Sequence, residues 1–567
     1  MEQRYEWLPH LYDTLTDDTF GYPVTPYSIA LEGWRRGLEL TFHYTSAKKK
    51  SWAKYSLSDG EKTHNFVASR GDLVTFDAKE ICKDKYETKK YLAKAGVPTP
   101  AGEEFDAEVT DDEIIQFANT QGYPLVIKPV DGTGGRGVIA NIRNEEEFKQ
   151  SLQYVRYELD FKHIIVEDYF KGEDYRVYVV GDKAVAVAKR ISPNVIGDGK
   201  ATILELIERK NKEKVDTKLY KGSQIKIDKE LKTFLKDNGY SLDFIPKENE
   251  RVFVKSKNNV TAGGDPIDAT DELFPEAKDI AVQALNAIPG LGHGGVDVMV
   301  NHETKEAIIL EVNSQANIRL NLFPMEGKGR DIPKAIVDYY FPNTKQNLSS
   351  PLFFDFGEIW RTLKRKEVKH ITVPNHPQGD LTLVRYTVKG KVRYVNFAKW
   401  VKEIANTHQI QGYVKHLENG TVSIVASGLI EDMEGFNEDL IKNRPEKYAD
   451  FDIAQNIRKT PVMIGFQTFN QHYDIQLIDG YQPVRLQDPK KKSSKTTKRV
   501  KKTTSVKKKE KPKKVVDTKQ NINSSASTVQ VNKVDYEKKY YNIVNSTSWK
   551  LTKPVRLIGK IVKGKKV

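Results

Sequence analysis

Residues 126–138 read VIKPVDGTGGRGV: an apolar run delivers Lys128, and the loop after it carries Gly132, Gly134, Gly135 and Gly137. Glycines let a backbone come close to a ligand and leave its N–H groups uncovered, which is what a phosphate needs in order to be cradled. The spacing is not that of a P-loop, and the context of a dinucleotide-binding fingerprint is missing. A tight hairpin is the plainer reading of the same glycines. What weighs between the two lies 170 residues downstream.

There, GGVDVMV and IILEVNS read as two short strands, 295–301 and 307–313, around the polar turn HETK. Alternate residues of a strand share a face, so Glu311 and Asn313 point the same way. A hairpin brings Asp297 to meet them. Three hard oxygen donors beside a phosphate suit an octahedral Mg²⁺, or Mn²⁺. Their flanking residues are apolar, so solvated acids at a bare sheet surface are a poor alternative.

Working outward, 28–42 (SIALEGWRRGLELTF) predicts a helix running into a strand, and 86–95 a helix stopped by Gly96, Pro98 and Pro100. Helical stretches at 111–120 and 145–155 alternate with β-rich runs at 124–130, 163–170 and 175–191. The 567 residues imply about three or four domains. The chain up to Pro342 reads as α/β or α+β with one long antiparallel component. The expected organisation is an N-terminal α/β region over 1–80, a main domain over 81–345 and a linker over 346–379, signalled by the polar run NTKQNLSSP at 343–351. A small strand–helix–strand–strand–helix–strand unit follows over 380–475, then a disordered Lys-rich stretch over 489–534 and a basic amphipathic segment over 535–567.

The net charge of +14 is unevenly held: residues 490–514 carry 14 Lys/Arg against one acid, and 515–567 carry 11 against three. That leaves the body at −7, so a nucleic-acid partner is disfavoured for the protein as a whole. The tail suits an anionic membrane surface, an anionic polymer or a plain tether. Its end, STSWKLTKPVRLIGKIVK, resembles a short C-terminal signature of bacterial polysaccharide-synthesis proteins. One cysteine, Cys82, excludes an internal disulfide framework and fits a reducing cytosol. No apolar run of about 18 residues and no signal-peptide layout occurs, so a cytoplasmic location is expected, peripheral at the inner face of the membrane if the tail binds there.

The motifs occur in a particular order: Asp84-Lys85, GVPTP, VIKP with its glycine loop, VEDYFKGEDYRV, GVD and EVN. In that order they resemble the ATP-grasp enzymes. Stretches such as RVYVVGDKAVAVAKRISPNVIGDGKATILELI and NNVTAGGDPIDATDELFP are similar to the ATP-grasp part of cyanophycin synthetases and bifunctional glutathione synthetases. The resemblance covers roughly 80–342 and implies an ATP-grasp fold using ATP with Mg²⁺. The implied reaction joins a carboxylate to an amine through an acyl phosphate. Position by position, it implies that Lys85 and Lys128 contact adenine and phosphates, that Glu167 and Phe170 form the adenine hinge, and that Asp174 meets the ribose. Asp297, Glu311 and Asn313 become the metal ligands. Arg176, Arg190 and Arg319 are candidates for phosphate or carboxylate contacts, and the 258–268 loop for enclosing the intermediate. An amino acid, a short peptide or a cell-envelope polymer is the expected substrate, and a homo-oligomer is common among such relatives. The Mur-ligase-like half and the glutamate–cysteine ligase module of those relatives are missing, and SQANIR replaces the usual proline-containing turn after the Asn.

Residues 380–470 resemble an acylphosphatase, a ferredoxin-like α/β sandwich. There the phosphate-binding Arg and water-positioning Asn of the family fall on Ala398 and His416. Tyr394 and Asn396 replace loop glycines. The expectation is a ligase with a degenerate second module. Two other classes compete with it, an acylphosphatase-type hydrolase and a non-catalytic nucleotide-binding envelope protein.

Overall fold

The structure is a computed structural model and describes residues 4–44, 53–130, 136–390, 392, 395–448 and 450–469. Within the glycine loop, Gly132, Gly134 and Gly135 lie outside the described residues, as do the Lys-rich stretch and the basic C-terminal segment.

Helix Val24–Arg35 is buried along its whole length. Its buried Arg35 donates to the carbonyls of Leu352 (3.0 Å) and His10 (2.7 Å). The helix packs on helix Ile332–Tyr340 and beneath a five-stranded antiparallel sheet. The order in that sheet is His370–Thr372, Glu39–His43, Lys54–Ser58, Thr63–Val67, Arg70–Gly71. The expected linker is therefore corrected. Residues 346–379 supply the edge strand His370–Thr372, helix Phe356–Arg365 and core rings, with Phe354 5.4 Å from Tyr27 and 5.7 Å from Trp34. A polar start to the segment concealed an aromatic pair that completes the first core.

The second unit is a four-stranded antiparallel sheet ordered Gly102–Phe105, Ile164–Asp168, Leu125–Pro129, Ile139–Ile142. Two helices cover one side, Asp111–Gln121 and Glu145–Gln153, begun by a Thr110/Glu113 capping box and by Asn144. Leu125, Ile127, Ile164 and Val166 face these helices and are fully buried. By strand alternation Lys128 and Glu167 point from the other side.

The third unit is a five-stranded antiparallel sheet ordered Asp265–Asp268, Lys183–Ile191, Glu173–Val180, His293–Asn301, Glu306–Asn313. Val177, Val187, Val296, Val298 and Val312 bury one face against helix Pro275–Asn286. Between the strands Lys183–Ile191 and Asp265–Asp268 the chain inserts a satellite: a two-stranded antiparallel sheet of Asn194–Ile196 with Arg251–Phe253, and helices Ile203–Asp216 and Lys229–Asp237, around a separate apolar core.

The last unit has sheet order Phe451–Ile457, Leu381–Gly390, Val422–Leu429, Gln411–His416, Phe466–Phe469, with helices Val395–Thr407 and Ile430–Ile441. Its first four strands follow the ferredoxin-like order 4-1-3-2, and the fifth joins parallel to the edge. Strand Val462–Met463 pairs with Leu352–Phe353, so this unit is stitched to the first core.

Candidate active site

The cluster on the small sheet starts from Glu167, 3% exposed, which accepts hydrogen bonds from Lys128 and from Lys89 (2.5 Å). Burial alone would raise the Glu167 carboxyl, but the two ammonium groups outweigh it and hold it below the usual carboxylate range. Lys128 moves down from its ordinary value, chiefly through burial, which Glu167 only partly offsets. Lys89 was missed in the sequence. It stands one turn after Lys85 on helix Lys85–Lys94, and the i, i+4 rule puts both on one face. Lys85 lies close enough to act on the charge of Lys128. The Glu167 carboxylate is thus the counter-ion of two lysines, a different role from the adenine hinge. Phe170 is half-buried beyond the strand, with Gly172 so close that a Cβ there would lie 2.9 Å from its ring. Gly137, the described glycine of the loop, has φ +77°, and a Cβ on it would meet Pro129 at 2.7 Å.

The second cluster covers the polar face of the five-stranded sheet. Register pairs Asp174 with Arg190, Arg176 with Asp297, Asp297 with Glu311 and Gly295 with Asn313, so all these residues project to one side. Arg176 grips Asp297 by two bonds, through Nε and through Nη2 (2.9 Å). Arg190 chelates Asp174 (2.5 and 3.1 Å) and reaches Asp297 at 3.3 Å. Burial works against the Asp297 charge, yet the two guanidiniums keep its carboxyl below the ordinary range. Gly295 is required for space: a Cβ there would lie 2.6 Å from Ala316 and 3.0 Å from Arg176.

Of the expected residues, Asp297, Glu311, Asn313, Arg176, Arg190 and Asp174 therefore share one face, and Lys128, Glu167 and Lys85 cluster on the smaller sheet. Cys82, just before Lys85, stands beside Ser314 and Glu311, which brings the two groups towards one another. Burial pushes its thiol up to about 11, against nucleophilic use. Arg319 stands apart from both clusters, with its buried Nε lacking a hydrogen-bond partner among the described residues. It belongs to the short helix Arg319–Leu322, donates to the Leu219 carbonyl at 2.9 Å and stacks on Tyr220, so it fastens the satellite. His293 is fully buried between the hydroxyls of Tyr178 (3.1 Å) and Tyr340 (3.2 Å), and burial lowers it to about 4.

A magnesium ion fits this donor set in part. Asn313 has a buried Nδ2 without a hydrogen-bond partner among the described residues, so its amide is not already spent there. Glu311 is half-buried alongside it. Asp297 accepts three guanidinium bonds, and a carboxylate has about four lone-pair sites, so one remains. Among the described residues no group of three or more His, Cys, Asp or Glu side chains is placed to hold a metal. The set relies on the asparagine oxygen.

In the last unit, Ala398 is 2% exposed and packed among Phe397 and Val401, while His416 Nε2 is buried without a partner among the described residues. Lys399 is exposed and pairs with Glu403 at 3.8 Å.

A fold of this layout and a face of this chemistry define an ATP-grasp domain, and residues 82–239 match the ATP-grasp domain family. Residues 384–468 match the acylphosphatase family, so the chain joins an ATP-grasp domain to an acylphosphatase-like one. It is 34% identical over 305 residues to the cyanophycin synthetase of Trichormus variabilis, covering 52% of this chain and 32% of that protein. It is 30% identical over 296 residues to the bifunctional glutathione-biosynthesis protein of Clostridium perfringens, covering 50% and 37%. The chain thus spans about a third of the length of these curated relatives. A bifunctional glutathione synthetase from Pasteurella multocida overlaps 53% of the chain and 41% of its own, at 26% identity and TM-score 0.42. Among the described residues no helix is long and apolar enough to cross a membrane.

Proposed function

We propose that the protein is an ATP- and magnesium-dependent carboxylate–amine ligase that forms an amide bond with an amino acid or short peptide. The observation that carries the reading is a pair of charge clusters, Lys128/Lys89/Glu167 and Arg176/Arg190/Asp297/Glu311/Asn313, of which the first cluster, Arg176 and Arg190 fall within residues 82–239 that match the ATP-grasp domain family. In the reaction, a carboxylate oxygen attacks the γ-phosphorus of ATP, the bond to the β–γ bridging oxygen breaks, and ADP leaves. An amine nitrogen then attacks the acyl carbon of the acyl phosphate, expels phosphate and gives up a proton. Both nucleophile and ATP are anions, so cations must hold them together.

Lys128 is pre-oriented by Glu167 and acts on the phosphates without having to be ordered first. Arg176 and Arg190 each have five N–H donors and spend two and three on Asp297 and Asp174, so both keep donors for a phosphoryl or carboxylate oxygen. Glu311, Asn313 and the remaining lone pair of Asp297 would hold magnesium, which neutralises phosphate charge and aligns the transferring group. Lys214, buried and donating to the carbonyls of Gly263 (2.7 Å) and Gly264 (3.1 Å), braces the 258–268 loop for its enclosing role.

Screening amino acids and short peptides for ADP release, with mass spectrometry of the products, tests the reading. Lys128→Ala and Glu311→Ala are each expected to abolish substrate-dependent ADP release, and full activity in either removes that residue from the site. The basic tail belongs to the same proposal as a peripheral contact with an anionic surface. Deleting 489–567 should release the protein from anionic vesicles, as should high salt. Retention by vesicles after deletion refutes that part.

A further inference from the structure

Between the satellite and the N-terminal strand lies a cleft of about 400 Å³ that shares no lining residue with either charge cluster. Its wall on one side is strand Tyr5–Glu6, paired in parallel with Gly327–Lys328 and anchored by Gly327 N–H on the Arg4 carbonyl at 2.9 Å. Helix Ile203–Asp216 forms the other side. Val195, Leu206 and Met325 supply apolar surface, and Tyr5 an aromatic ring. The size and the mixture of apolar wall with few polar groups are those of a small-molecule site.

Most charges around the cleft are already paired. Arg209 holds Asp198 at 2.8 Å, Lys210 holds Asp265, and Glu326 accepts from Arg251 at 2.8 and 2.9 Å. Two are held more loosely. Glu213 has no side-chain hydrogen bond or ion pair among the described residues, although burial pushes its carboxyl above the ordinary range. Arg4 approaches only Glu326, at 3.9 Å, an acid that Arg251 already satisfies. Lys210, Lys214 and, least of the three, Arg4 act on the Glu213 carboxylate through space, but none of them makes a hydrogen bond or ion pair with it. An anion half out of water without a partner is costly, and a cation supplied by a ligand relieves that cost.

We propose that this cleft binds a small zwitterion, an α-amino acid or dipeptide, with its ammonium on Glu213, its carboxylate on Arg4 and its apolar body against Leu206 and Met325. The site is independent of the nucleotide cluster and stands whether or not the ligase reading does.

Calorimetry on the full chain without nucleotide, using glycyl-L-leucine, tests it. The dipeptide should bind, while its N-acetyl and C-terminal amide forms, each lacking one charge, should bind ~10-fold or more weakly. Glu213→Gln and Arg4→Gln should each weaken glycyl-L-leucine by a similar factor, with unchanged thermal midpoints because both groups reach solvent. Lys128→Ala should leave dipeptide binding intact. No heat at about 10 mM dipeptide overturns the proposal, as does binding that survives both cleft variants or is lost in Lys128→Ala. Loss in Glu213→Gln alone reduces the ligand to a simple cation and overturns the zwitterion assignment. ATP titrated into the same preparation reports separately on the ligase reading.

Discussion

Glu167 is ionised in a place where water cannot help it, and two lysines supply what water would. Glu167→Gln keeps the shape and removes the charge, leaving the Lys128 and Lys89 ammonium groups facing each other. Urea unfolding should show a loss of ~3–5 kcal/mol, and calorimetry should show the loss of ATP binding. The acid dependence follows from the same pairing. The folded carboxyls of Glu167 and Asp297 are depressed, so their stabilisation is complete above the unfolded values of about 4 and disappears as pH falls through the lower folded values. Gly137→Ala, at φ +77° and with Pro129 in the way, should cost ~1–2 kcal/mol in urea unfolding and weaken ATP in calorimetry. Lys128, Asp297, Glu311 and Asn313 were legible because each sits in a short local pattern. Lys89 was not, since nothing local distinguishes it from its neighbours until Glu167 arrives from another strand. The Arg176–Asp297 grip likewise depends on register between strands more than a hundred residues apart, which no linear spacing encodes.

At the scale of elements, two buried histidines set a second pH response. His293 links strand Glu173–Val180 to helix Ile332–Tyr340. His376 accepts or donates at Ser350 (2.6 Å), pinning the 346–379 segment, and Trp34 packs edge-on against it at 4.7 Å. Burial lowers both to about 4. An unfolded histidine takes a proton near 6.5, so between about 6.5 and 4 the unfolded chain binds up to two more protons than the folded one. Stability should therefore fall with pH through that window, and His376→Asn should reduce the slope of the urea midpoint against pH. An unchanged slope would mean that His376 is protonated in the fold. The same segment shows why its role was illegible: NTKQNLSSP reads as connector, whereas Phe354, Phe356 and the 370–372 strand gain meaning only beside Trp34 and Phe42. Helices Lys85–Lys94, Asp111–Gln121 and Glu145–Gln153, by contrast, could be read within a few residues of their ends, because period and stop signals such as Gly96 and Pro98 are local. Helices Ile203–Asp216 and Pro275–Asn286 went unread.

For the whole molecule, the acylphosphatase-like unit keeps the fold, and buried Ala398 stands where the resemblance places the phosphate-binding Arg of that family. With the ligase silenced by Lys128→Ala, the full chain should hydrolyse benzoyl phosphate no faster than buffer. Ala398→Arg should not rescue it, because the position is packed in the core and the new charge would unfold the unit before serving it. Robust turnover in the parent chain would restore the hydrolase reading. The unit also joins the first core through the pairing of Val462–Met463 with Leu352–Phe353.

The closing of the first sheet by His370–Thr372 also sets a timetable for the nascent chain. Strand Glu39–His43 leaves the ribosome roughly 330 residues before its edge partner, which at ~5–20 residues per second is a wait on the order of tens of seconds. Throughout that interval a row of unpaired peptide groups and the Phe42 side of the core are open to other chains. Chaperone demand during synthesis should accordingly be highest until the 350–372 stretch emerges, and translation arrested before that point should yield aggregates.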